Sequence, residues 1–123
     1  FDVQLAHCGR MQEMGLNVIT GSDSSWGGYQ LGNTVYETEC LVMAGFSHMR
    51  GVLSVTRDAA RALGIGDIVG TLEPGKEADV IVVDGNPAEN VSDLRKVAEV
   101  FSAGRRIERG SKESIAATVQ PRP

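Results

Sequence analysis

Gly70-Thr71-Leu72-Glu73-Pro74-Gly75-Lys76-Glu77-Ala78-Asp79-Val80-Ile81-Val82-Val83-Asp84 decides how the rest of this chain is read. Pro74-Gly75 is a turn dipeptide, with proline presetting one φ and glycine supplying a left-handed position. Val80 to Val83 is an unbroken β-branched run between Asp79 and Asp84, the pattern of a strand buried on both faces. Physically, the stretch is a hairpin arm entering a sheet.

Working outward, Ile68 to Leu72, Val97 to Phe101 and Arg105 to Glu108 read as further strands, the last two joined through Ala103-Gly104. Asn86-Pro87 marks a loop, and Val91 to Arg95 reads as one helical turn capped by Ser92. Upstream the character changes. Asp2 to Met14 has Leu5, Cys8 and Met11 on one helical face, with Gly15 as its stop. Leu16 to Thr20 reads as a short strand, followed by Gly21-Ser22-Asp23-Ser24-Ser25 and a glycine-rich loop from Trp26 to Asn33 that holds Tyr29. Thr34 and Glu37 have the spacing of a capping box. The helix they open ends at Gly45. Ser47 caps another from His48 to about Arg57, and Asp58 to Leu63 is a last helical piece stopped by Gly64. An α/β segment therefore precedes a β segment, with the change near residues 64–68. The polar tail from Gly110 to Pro123 is expected to be mobile.

The chain has 123 residues and a net charge of -4, which argues against nucleic acid or an anionic membrane as the main partner. No apolar run approaches the roughly 20 residues that cross a bilayer. Cys8 and Cys40 lack a paired or metal-finger spacing and read as reduced, buried thiols of a cytoplasmic protein. A few short strands cannot bury a sound core, and one strand is no parallel sheet. Both segments thus call for partners, either a companion chain or further copies in a homo-oligomer.

Three blocks carry a resemblance. The first is Gly15-Leu16-Asn17-Val18-Ile19-Thr20-Gly21-Ser22-Asp23-Ser24. The second is Thr56-Arg57-Asp58-Ala59-Ala60-Arg61-Ala62-Leu63-Gly64. The third is the G-x-L-x-x-G-x-x-A-D pattern of Gly70 to Asp79 with its strand. In this order they resemble the amidohydrolase superfamily, nearest to members similar to imidazolonepropionases and Xaa-Pro dipeptidases. The resemblance implies an α/β plus β architecture. Residues 1–66 would be the last strand and helices of a (β/α)8 barrel, and residues 67–109 the C-terminal half of a small β-sandwich. It also implies metal-activated hydrolysis of a C–N bond in an amide, cyclic amide or dipeptide, with one or two divalent ions, zinc first. The H-x-H pair and further histidines of that family are not in this sequence, whose two histidines are His7 and His48.

Asp23 is the residue the resemblance singles out. It implies that Asp23 ligates the metal, takes the proton of the attacking water and returns it to the leaving group. A carboxylate at a barrel strand's C-terminal tip sits on the face that carries active sites. Read from Gly-Ser-Asp-Ser alone, the residue is first an Asx turn at a strand end. Ser22, Ser24, Ser25, Trp26 and Tyr29 surround it as substrate-pocket candidates, or as an ordinary polar loop with one anchoring tryptophan. No G-x-S-x-G is present to support a serine nucleophile. His7 and His48 read as structural. Gly64-Ile65-Gly66 lacks the strand, third glycine and helix of a nucleotide loop. Glu73, Lys76, Glu77 and Asp79 read as solvated charges around a turn, Asp79 and Asp84 as strand ends, and Arg105, Arg106 and Arg109 as a charged strand edge. A reading from another class is a non-catalytic interaction module, stable only as an oligomer or against a companion chain.

Overall fold

The computed structural model describes residues 1–22 and 33–108. Four helices come first: α1 (Asp2–Glu13), α2 (Thr34–Met43), α3 (His48–Ser54) and α4 (Arg57–Ala62). Strand β1 (Val80–Val83), a 3₁₀ helix (Val91–Arg95), β2 (Val97–Ser102) and β3 (Arg105–Arg106) follow.

Three helices stop in the same way. Past α1, α2 and α4, the amides of Leu16, Phe46 and Ile65 donate to the carbonyls of Met11, Leu41 and Ala60 at 3.0, 3.1 and 2.9 Å. Each is the long bond of a Schellman motif, with glycine at the left-handed position before it. The motif at α2 also joins two core residues, since Leu41 and Phe46 are both buried. Helix α3 ends differently, three residues short of the Arg57 expected from sequence. The hydroxyls of Ser54 and Thr56 donate back to the carbonyls of Gly51 and Val52 at 2.7 and 2.8 Å. Such back-bonding competes with the next helical turn and breaks α3 from α4.

Two caps shift by a residue or more. Ser47 caps α3 as expected, its Oγ accepting from the Arg50 amide at 3.2 Å. The Thr34–Glu37 capping box does not form: Asn33 is the N-cap, and Thr34 already lies inside α2. The 3₁₀ helix is capped by Asn90, whose side chain accepts from the Ser92 amide, so Ser92 is not the cap.

The sheet is an antiparallel meander in the order β1-β2-β3. Val80 faces Phe101 and Val83 faces Val97, with an irregularity between Val82 and Val83. Ala103 (φ 48°) and Gly104 (φ 75°) make the tight β2–β3 turn, the two positive φ values of a type I′ hairpin. Asp79 holds that turn, its Oδ1 accepting from the Ala103 amide at 2.8 Å and the Ser102 hydroxyl at 3.0 Å. Strand β3 is shorter than the Arg105–Glu108 expected, although the Ile107 amide still donates to the Val100 carbonyl.

Two expected strands are absent. Leu16 to Thr20 is irregular, with no strand beside it among the described residues. Ile68 to Leu72 is a run of turns and bends, because the Ile68 and Val69 amides both donate back to the Ile65 carbonyl and Gly70 has φ 98°. The expectation that β1 is buried on both faces also fails. Ile81 and Val82 are neighbours and so point to opposite faces, yet they are 51% and 45% exposed. Val80 and Val83, one on each face, are only half-buried. Cys8 and Cys40 are free but half-buried, short of the full burial expected.

The core lies where α2 and α3 meet each other and the 3₁₀ helix, with α4 packed on α3. Leu41, Phe46, Ala60 and Val91 are buried there with Thr38, Ser54, Asp58 and Asp93. Gly51 lets Val91 approach α3, since a Cβ there would stand 3.3 Å from Val91 Cγ2. The Val91 amide donates to His48 Nδ1 at 3.1 Å, tying the 3₁₀ helix to the start of α3. Val91 is 2% exposed, so this amide has little recourse to water. His48→Ala is expected to cost about 1–3 kcal/mol for the stranded donor. His48→Asn, which returns a side-chain acceptor, should recover part of that. Urea unfolding of the pair checks it, and equal stability for wild type and His48→Ala would refute the assignment.

Candidate active-site segment and its supports

Asp23, Ser24, Ser25, Trp26 and Tyr29, the site residues expected from sequence, lie outside the described residues. The structure describes the two ends of the segment that carries them. Ser22 closes the stretch leaving α1, and Asn33 opens α2. Helices α1 and α2 touch at Gly9, where a Cβ would lie 2.6 Å from the Ala44 carbonyl oxygen. Glycine is therefore needed for this close approach, and a larger residue would push the helices apart.

The Asn33 end is tied down from a distance. Arg95, on the 3₁₀ helix, donates from Nε to Glu39 Oε1 at 3.0 Å and from Nη2 to Glu39 Oε2 at 2.6 Å. Its remaining arm, Nη1, donates to Asn33 Oδ1 at 3.1 Å. The planar guanidinium thus grips a carboxylate with two parallel bonds and an amide with a third. Arg95 holds the Glu39 carboxyl below its ordinary pKa, with a smaller contribution from Ser92, while partial burial opposes the shift. The sequence reading missed this clamp. No local signal marks it, since 56 and 62 residues separate Arg95 from its partners.

A second cluster went unnoticed as well. Asp58, 3% exposed, accepts from Arg50 Nη1 at 3.0 Å and from Arg57 Nε at 2.8 Å. This carboxylate locks α3 to α4 beneath the turns at 66–76. Beside it a cleft of about 220 Å³ is lined by Arg57, Arg61, Asp67, Thr71, Glu73 and Lys76. Lys76 is not a freely solvated charge, because its Nζ donates to Thr71 Oγ1 and pairs with Glu73 at 3.5 Å. Glu73 titrates below its ordinary value, from its bond to Thr71 first and the charge of Lys76 next. Asp93 accepts from the Asn86 amide at 3.0 Å and pairs with Lys96 at 2.8 Å. Its pKa is lowered, chiefly by Lys96.

None of these groups makes a metal centre. Among the described residues, no three His, Cys, Asp or Glu side chains stand together as a ligand set. His7 is exposed on α1, and His48 Nδ1 is committed to the Val91 amide, in keeping with the structural reading of both. The Cys40 thiol is pushed up, by burial first, with Glu37, Glu39 and Cys8 adding to the rise and a hydrogen bond from Tyr36 opposing it. It is a poor thiolate donor. Alone, the described residues do not fit a metal ion. No described helix is long and apolar enough to cross a membrane.

The amidohydrolase family model matches residues 2–107, almost the whole described chain. The chain belongs to the amidohydrolase family. Among curated proteins it is 35% identical over 80 residues to an imidazolonepropionase of Aromatoleum aromaticum, covering 64% of this chain and 19% of that one. It is 38% identical over 68 residues to a 5-methylthioadenosine/S-adenosylhomocysteine deaminase of Teredinibacter turnerae, covering 46% and 15%. Among solved structures it superposes on a Xaa-Pro dipeptidase with methionine bound in the active site. That match has TM-score 0.78 and 32% identity, over 85% of this chain and 25% of the other. The chain thus spans a fifth to a quarter of these two better-covered proteins.

Proposed function

We propose that this chain is the C-terminal portion of a metal-dependent amidohydrolase that hydrolyses a C–N bond in an amide, cyclic amide or dipeptide. The observation that carries the reading is the family match over residues 2–107, which runs through Asp23 and both flanks of its segment. The named relatives act in keeping with it, being an imidazolonepropionase, a deaminase and a Xaa-Pro dipeptidase.

In this reading residues 1–66 close a (β/α)8 barrel, residues 67–109 contribute to a β-sandwich, and 110–123 are a tail. Leu16 to Thr20 becomes a barrel strand once neighbours flank it. The half-exposed Ile81 and Val82 are covered by chain beyond this one, either a preceding region of the same polypeptide or a companion copy. A divalent ion, zinc first, would be held by Asp23 with donors from outside the described residues. When bound, such an ion brings the pKa of a coordinated water down towards 7. Asp23 accepts the proton of the attacking water and returns it to the leaving nitrogen. Ser24, Ser25, Trp26 and Tyr29 line the substrate pocket. The substrate is a small molecule, and neither nucleic acid nor a membrane is a partner. The setting is cytoplasmic.

The test uses the complete protein. Metal analysis is expected to find one or two divalent ions per polypeptide. Exposure to a chelator should abolish hydrolysis of a panel of Xaa-Pro dipeptides and cyclic amides, and added zinc should restore it. A metal-free protein inert toward the whole panel would sink the proposal and favour the non-catalytic reading.

A further inference from the structure

The cleft beside Asp58 gathers more positive charge than the fold uses. Arg57 and Arg61 stand one turn apart on α4, and both line the space of about 220 Å³ between that helix and the turns at 66–76. Thr71 and Lys76 line it from the side of the turns. Gly66 lies against Arg61: a Cβ there would come 3.2 Å from Arg61 Cγ, so the arginine stem rests on bare backbone. Arg57 gives its Nε to Asp58, and Lys76 gives its Nζ to Thr71 and Glu73. Among the described residues, the two terminal nitrogens of Arg57 and the whole guanidinium of Arg61 make no hydrogen bond or ion pair.

The cleft already holds an anion of its own. Glu73 bonds to Thr71 and pairs with Lys76, and its carboxyl titrates low through the Thr71 bond first, then the charge of Lys76, with Arg61 adding a smaller pull. Its side chain is 59% exposed, so it meets Lys76 at the lip and leaves the two arginines without an acceptor. Asp67 also lines the cleft, which sets two carboxylates against three cations. We propose that this cleft binds a phosphate group, free or as a monoester, between Arg57 and Arg61. A guanidinium offers paired N–H donors that match phosphate oxygens, and two such groups one helical turn apart can share one dianion. Lys76 adds a third positive charge beside it. The net charge of -4 weighs against a polyanion such as nucleic acid, but a small anion answers to the local field of the cleft. The inference does not rest on the proposed hydrolysis.

The experiment titrates the complete protein with inorganic phosphate and, separately, with phosphoserine, by isothermal calorimetry at constant ionic strength, with sodium chloride as the control. Wild type is expected to bind phosphate saturably. Arg61 is exposed and holds no other described group, so Arg61→Met should keep the fold, which circular dichroism checks. It should weaken binding by about tenfold or more, the scale of one hydrogen bond to a charged group. Arg57 is left in place because it also holds Asp58. Glu73→Gln removes the competing charge and should tighten binding. Phosphoserine bound as tightly as phosphate would identify a phosphate group on a larger molecule, and phosphate bound alone would identify the free anion. Saturable binding of neither, equal affinity in wild type and Arg61→Met, or no tightening in Glu73→Gln would overturn the inference.

Discussion

Asp23→Asn in the complete protein is expected to lower kcat by about 10²- to 10⁴-fold, the range a positioned proton-transfer group supplies. Asparagine keeps the size and hydrogen-bonding shape of the side chain but cannot take up a proton at neutral pH. The substitution therefore separates the two readings that Gly21-Ser22-Asp23 allows. An Asx turn needs only an acceptor oxygen, which asparagine still offers, so a purely structural Asp23 predicts near wild-type activity and an unchanged melting curve. A proton carrier and metal ligand predicts loss of turnover with the fold intact, together with weakened metal retention. The matching measurement is kcat and bound metal on one preparation, with circular dichroism to show that the fold is retained. Activity above about a tenth of wild type would rule out the proton role, since general acid–base groups contribute at least about 10²-fold.

What could be read from the sequence divides along the range of the interactions. Glycine stops were legible because a Schellman motif is written within six consecutive positions, and Gly15, Gly45 and Gly64 all serve as read. Ser47 was legible for the same reason, and so were the Pro74-Gly75 and Ala103-Gly104 turns. The errors fall where one local pattern served two structures. Ile68 to Leu72 has strand composition, but the Ile68 and Val69 amides fold back on Ile65 and Gly70 takes φ 98°, and a pattern of apolar residues cannot distinguish these outcomes. Val80 to Val83 shows the reverse case. The run is a strand as read, but Ile81 and Val82 stay half-exposed among the described residues. Asp23 was singled out through the resemblance and lies outside the described residues, while the ion-pair clusters that the structure does describe were not read at all. Asp58 was read only as the start of a helical piece, with nothing to show that α3 would bring Arg50 to it, and Arg95 only as the end of a single helical turn. A contact between residues 33 and 95 leaves no trace in either neighbourhood.

Gly70→Ala carries a large expected loss of stability, and a neighbouring glycine provides its control. Gly70 has φ 98°, a conformation that strains any residue with a Cβ, and it sits against the core. An added Cβ would lie 2.6 Å from Ala60 Cβ, 3.1 Å from the Thr56 carbonyl oxygen and 3.3 Å from Arg57 Cα. None of these can swing away. Ala60 is buried on α4, and the other two are backbone atoms at the N-terminus of the same helix. The turn or α4 must therefore move, and α4 carries Asp58, whose bonds to Arg50 and Arg57 would move with it. Overpacking of this kind costs about 1–3 kcal/mol, and the left-handed backbone adds about 1–2 kcal/mol for a residue with a Cβ. Gly75 shares the backbone cost, with φ 91°, but a Cβ there would meet nothing within 4 Å. Gly75→Ala should therefore lose only the backbone part, and the difference between the two variants isolates the clash. Urea unfolding followed by far-UV circular dichroism gives both numbers. Equal losses in the two variants would show that Gly70 is needed for its turn alone and that the loop does not pack on α4 as described.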